Sequence, residues 1–119
     1  MKVTVILGAS AKPNRYSNMA HTLLKSHGHP VIPVHPTEQV ILEDQVYNDL
    51  KGIWEEVDTL CVYVRPSQVA VLVDEMIRLA PQRIVFNPGT ESPELYHEFP
   101  EHVEILEDCT LQMLNTGRF

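Results

Sequence analysis

Two cations in one loop are the residues best suited to chemistry in this chain. Lys12 and Arg15 lie within Gly8-Ala9-Ser10-Ala11-Lys12-Pro13-Asn14-Arg15-Tyr16-Ser17, directly after the apolar run Val3-Thr4-Val5-Ile6-Leu7. Arginine and lysine are natural partners of phosphate oxygens. A small-residue turn ahead of a helix also lets backbone N–H groups approach a phosphate beside a positive helix end. The chemistry is therefore anion binding, and a nucleotide-like ligand is the first expectation. An ordinary strand-to-helix loop with two solvated cations would read the same way.

The neighbouring signals narrow the ligand. Of the dinucleotide fingerprint G-x-G-x-x-G only Gly8 is kept; Ser10 stands at the second glycine and no third follows. After the second apolar run comes His35-Pro36-Thr37. A binder of NAD places a carboxylate there for the ribose 2′-hydroxyl, so its absence counts against an NAD site. His35 suits an adenine or phosphate contact, and equally a capping or surface role. Arg65 directly follows the strand that ends at Val64, just before Pro66-Ser67 opens a helix. It suits either the same ligand or a capping turn that faces solvent. Asn87, in Asn87-Pro88-Gly89-Thr90-Glu91, could bond a polar ligand group or belong to a plain turn.

Other chemistries find little support. The six histidines show no paired metal-ligand spacing with cysteine or carboxylate. Cys61 sits inside an apolar run and reads as a small buried hydrophobe. Cys109 precedes a helix start, where a thiol pKa can fall, but no base stands near it in sequence. No G-x-S-x-G elbow occurs. No catalytic residue and no metal ligand is assigned.

Apolar runs and helical patterns alternate along the chain. Strands are expected at 3–7, 31–34, 59–64, 83–86 and 103–106, with a weak one at 45–47. A helix over 17–27 would be capped by Ser17, with Met19, Ala20, Leu23 and Leu24 inward. The helix opened by Pro66 carries Val69, Leu72, Val73, Met76, Ile77 and Ala80 on one face. Ser92 would cap a short helix, and Thr110 begins a last one ended by Gly117. Such βαβ units imply a parallel sheet of five to six strands covered on both faces, in the order 3-2-1-4-5-6. The loops 8–17 and 65–67 then flank the switch point, where open α/β sheets bind ligands.

With 119 residues and 44% apolar content, one α/β domain over 1–119 is expected. A formal net charge of −7 argues against general nucleic-acid binding and against an anionic membrane surface. Two cysteines, no signal-peptide pattern and no apolar run of spanning length point to a reducing cytoplasm.

In this order and spacing, the motifs resemble those of the small stand-alone CoA-binding proteins. That family is similar to the N-terminal CoA-binding domain of the succinyl-CoA synthetase alpha subunit. The resemblance rests on Ile6-Leu7-Gly8-Ala9-Ser10 with Lys12, Pro13, Arg15 and Tyr16-Ser17, on Val31 to Pro36, on Tyr63-Val64-Arg65-Pro66-Ser67, on Asn87 to Glu91 and on Glu107 to Thr110. It implies a Rossmann-like three-layer sandwich that binds coenzyme A or an acyl-CoA. It further implies that Gly8, Ala9, Ser10, Lys12, Arg15, Tyr16 and Ser17 form the phosphate side, and that Pro33, Val34, His35 and Pro36 line the adenine end. Tyr63, Val64, Arg65 and Pro66 would face the pantetheine. Asn87 stands where many relatives have Gln, and His35 where Asn is usual. The synthetase's phosphohistidine lies in a domain this chain lacks, so a binding or regulatory module without catalysis is expected. An NAD(P)-dependent enzyme and a partner-binding subunit are the alternatives.

Overall fold

The computed structural model describes residues Met1–Phe119. Runs of Val, Ile and Leu become strands buried on both faces, because a parallel sheet covered by helices leaves no polar side. Thr4–Leu7 forms β1, and Tyr16–Ser26 forms helix α1. Val31–Val34 is β2; a small hairpin follows, with β3 at Val40–Ile41 and β4 at Asp44–Gln45. A 3-10 turn at Leu50–Gly52 leads into β5, Thr59–Val62. Helix α2 spans Pro66–Leu79 and β6 spans Arg83–Phe86. A second 3-10 turn at Pro93–Glu98, strand β7 at Glu104–Glu107 and helix α3 at Thr110–Asn115 complete the chain.

The main sheet runs β2-β1-β5-β6-β7, parallel throughout. This is the expected doubly wound, Rossmann-like order, with five strands. The weak outer strand shrinks to a single parallel bridge between Val34 and Tyr47. Its ladder cannot lengthen past Pro33, which has no N–H to offer on that edge. Pro33 contributes only its carbonyl, which accepts from the Tyr47 N–H, while the His35 N–H donates to the Tyr47 carbonyl.

Alternate residues of each strand feed two cores. Val5, Leu60, Val62 and Phe86 pack with Val69, Val73 and Met76 of α2. Ile6 and Val31 pack on the other face with Leu24 of α1, Ile41 of the hairpin and Leu114 of α3. Helix α1 is rotated from the expected setting. Ser17, Ala20, His21 and Leu24 are buried, while Met19 is turned outward. Arg15, not Ser17, is the N-cap, with no side-chain cap bond. Ser92 likewise donates to the Thr90 carbonyl rather than capping the turn that follows it.

His21 holds a core position because the hairpin supplies it a partner. Its Nε2 lies 2.7 Å from Asp44 Oδ2, and the ring is fully buried. Lys25 Nζ donates to the same carboxylate at 3.0 Å and to the Leu42 carbonyl at 2.6 Å. These bonds hold a two-residue turn whose central residues, Leu42 (φ 51°) and Glu43 (φ 68°), are both left-handed. Asn-Gly usually fills such a turn. Each non-glycine residue held there costs about 1–3 kcal/mol, which only a surrounding clamp can offset.

Burial is the main reason that the His21 pKa falls below its ordinary 6.5, with Lys25 adding to the shift and Asp44 opposing it. The neutral ring donates through Nε2, and Nδ1 is a buried lone pair without a donor. A histidine that protonates more readily unfolded than folded withdraws stability as pH falls below its unfolded pKa. His29 is shifted in the same direction, so the wild type must be compared with a variant. In urea denaturation between about pH 7 and about pH 5, the unfolding free energy of the wild type should fall more than that of His21→Gln. Equal declines would contradict this account.

Candidate functional site: the cleft at the C-terminal rim

A cleft of about 650 Å³ opens where β1, β2 and β5 end. It lies at the reversal of strand order, since the chain crosses outward from β1 to β2 on one side and from β5 to β6 on the other. Leu7 and Val34 lie at its base.

One wall is the loop after β1. Gly8 has φ +92°, and a Cβ there would stand 2.9 Å from the Tyr63 carbonyl oxygen and 3.0 Å from Val64 Cγ1. Only glycine lets the chain leaving β1 pass the chain leaving β5 this closely. The Gly8 and Ala9 N–H groups both donate to the Val34 carbonyl, at 3.2 and 3.0 Å. They are spent on the sheet. Asn18 Nδ2 pins the loop by donating to the Ser10 carbonyl at 2.8 Å, and Ser10 Oγ accepts from the Lys12 N–H at 3.1 Å.

The groups left open are the first-turn N–H groups of α1. Those of Tyr16, Ser17 and Asn18 meet no protein acceptor. The helix has no side-chain cap and no acid in its first turn. Lys12 and Arg15, both exposed, are outside the molecule's four ion pairs. Two free cations and an open helix N-terminus thus share one end of the cleft.

His35 and Pro36 form the next wall. His35 Nδ1 accepts from the Thr37 N–H at 3.1 Å and the Glu38 N–H at 3.0 Å. The ring caps its own turn and, when neutral, carries its proton on Nε2. Asn48 Nδ2 locks the turn by donating to the His35 carbonyl at 2.9 Å.

Tyr63 and Val64 stand opposite. Burial holds the Tyr63 phenol above its ordinary range, so its hydroxyl stays protonated. The cleft therefore gathers Gly8, Ala9, Ser10, Lys12, Arg15, Tyr16, Ser17, Val34, His35, Pro36, Tyr63 and Val64. It does not include Pro33, Arg65, Pro66 or Asn87. Pro33 is buried in β2. Arg65 is the exposed N-cap of α2, its carbonyl taking the Gln68 and Val69 N–H groups, and Pro66 is the first helical residue. Asn87 is buried below the rim: Nδ2 donates to the Val62 carbonyl at 3.2 Å, and Oδ1 accepts the Thr110 N–H at 2.8 Å. It fastens β5 to the start of α3.

Sequence reasoning missed a fourth side, made by Asn48, Asp49 and Leu50 with Gln68, Leu72 and Glu75 of α2. The spacing of those three α2 residues marks one helix face, a signal hidden by the assignment of Leu72 to the core. Asp49 Oδ1 caps the 3-10 turn through the Gly52 N–H at 3.3 Å. Neither cysteine lines the cleft. Cys61 is fully buried, which pushes its thiol up to about 11.

A family model described as a CoA binding domain matches residues 2–115. An uncharacterized protein of known crystal structure is 40% identical, with a TM-score of 0.93 over 100% of this chain and 98% of its own. The uncharacterized protein YneT of Bacillus subtilis (strain 168) is 26% identical over 100 residues, covering 84% of this chain and 74% of that protein. A dinucleotide-forming acetyl-coenzyme A synthetase of Ca. Korarchaeum cryptofilum shares the fold at a TM-score of 0.75 and 19% identity, over 90% of this chain and 25% of its own.

Asn87→Ala would leave the Thr110 N–H buried without an acceptor. The unfolding free energy should drop by about 1–3 kcal/mol, read from the urea midpoint; an unmoved midpoint would contradict the bracing role.

Proposed function

The chain belongs to the CoA-binding domain family, and from that premise we propose that it binds coenzyme A or an acyl-CoA in the rim cleft. The observation that carries this reading is the pairing of Lys12 and Arg15, both without carboxylate partners, with the uncapped N-terminus of α1. In a chain of net charge −7, cations kept free at one cleft are suited to a polyanion. The CoA diphosphate would take the N–H groups of Tyr16 and Ser17 and the Lys12 and Arg15 side chains. Gly8, Ala9 and Ser10 shape that end.

Val34, His35 and Pro36 would line the adenine end, with His35 Nε2–H as a donor. The pantetheine would pass Tyr63 and Val64. Pro33, Arg65, Pro66 and Asn87 would act by supporting this frame. The role is binding or regulation: His35 Nδ1 is already engaged by its turn, and Cys61 is sealed in the sheet.

Lys12→Ala and Arg15→Ala each remove a charge-assisted bond, worth about 1.5–3 kcal/mol. Titration calorimetry should show CoA binding weakened roughly tenfold to a hundredfold by either change, and more steeply salt-dependent in the wild type. No heat from the wild type at millimolar CoA would defeat the proposal.

A further inference from the structure

The cleft continues below the rim. Gln68, Leu72 and Glu75 line it on successive turns of α2, so it descends between that helix and the Leu50–Gly52 turn. A second cavity of about 180 Å³ follows between the same elements, and Leu50 and Glu75 line both. From Gln68 to Leu79 the helix rises about 16 Å, the span along which the two adjoining cavities lie.

Two features of this channel lack partners within the fold. Glu75 Oε1 is shut off from solvent and accepts no hydrogen bond. A buried carboxylate oxygen without a donor is costly and uncommon. Trp54, the only tryptophan, lines the lower cavity with Ile53 and Leu79, yet is 90% exposed. A large aromatic left in water beside the apolar side chains of Leu50, Ile53 and Leu79 is a surface suited to an apolar partner. The charges around this cavity cancel, Lys51 and Arg78 against Glu55 and Glu75. An uncharged occupant fits better than an anion.

We propose that this channel is an acyl compartment, selective for uncharged aliphatic acyl groups. The Glu75 carboxylate, which lines both cavities, accepts an amide N–H of the pantetheine arm, and the acyl chain lies against Ile53, Trp54 and Leu79. The inference rests on the CoA reading above. The pantetheine arm suits the junction, since it is uncharged and carries two amide N–H groups. A bond from either to a carboxylate is charge-assisted.

The test compares adenosine 3′,5′-bisphosphate, CoA, butyryl-CoA, octanoyl-CoA and succinyl-CoA by titration calorimetry, with tryptophan fluorescence read in parallel. Affinity should rise with acyl length, by about fourfold for each buried methylene. Emission should shift to the blue with octanoyl-CoA and not with CoA. Succinyl-CoA should bind less tightly than butyryl-CoA. Trp54→Ala should abolish the gain with length. Glu75→Ala should lower the ratio of CoA to bisphosphate affinity by about tenfold; the bisphosphate, lacking the arm, controls for folding. If CoA binds but acyl length changes neither affinity nor emission, the acyl compartment is refuted and the CoA reading stands. If neither CoA nor the bisphosphate binds, both fail.

Discussion

The close passage of two backbones at Gly8 governs the rest of the site. A side chain there would meet the Tyr63 carbonyl at 2.9 Å. Because none is present, the exits of β1 and β5 come together, and the Gly8 and Ala9 N–H groups reach back to the Val34 carbonyl. Three strand ends are thus joined at one point. The loop that follows has to rise away from the sheet, and Asn18 holds it there through the Ser10 carbonyl. The glycine's purpose is structural first. It creates the cleft, while the donors that remain open come later, at the first turn of α1.

That order of events explains an unusual helix start. Arg15 gives α1 no side-chain cap, and no acid occupies its first turn. Open N–H groups at a helix end are normally met by a side chain, water or a ligand. Here the adjacent side chains are cations, which makes the end worse for itself and better for an anion. A Ser or Asp cap at this point would stabilise the helix and close the site. The geometry trades local helix stability for an open anion-binding end.

The architecture was legible in the sequence because buried parallel strands announce themselves as apolar runs, and the switch point follows from the connections. The loops 8–17 and 65–67 could be placed at the switch point from topology alone, although Arg65 and Pro66 stand outside the cleft itself. What escaped was set by tertiary context. His21 lies off the inward face expected for its helix, and it is buried because Asp44 is brought beside it by a hairpin that Leu42-Glu43 gives no hint of. Asn87 reads as a ligand residue because it ends a strand at the rim, but its amide is consumed by Val62 and Thr110. Gln68 and Glu75 were invisible as site residues, since a polar position on α2 reads as solvent-facing unless the Leu50–Gly52 turn is known to pack opposite.

The two ends of the cleft differ in what they can discriminate. Charge at the loop end acts at long range and is insensitive to fine shape, so it favours any ligand that carries clustered phosphates. The channel beside α2 acts only by contact. Its apolar wall and its single unpartnered carboxylate oxygen respond to length, charge and the position of one donor. Electrostatic attraction sets encounter and a general preference; selectivity must come from groups that lose something when mismatched. The Glu75 carboxylate meets that condition, because an occupant without an N–H at that height displaces solvent from it and returns no hydrogen bond. Affinity and selectivity in this fold are therefore separable, placed on different elements and reached by different parts of one extended ligand.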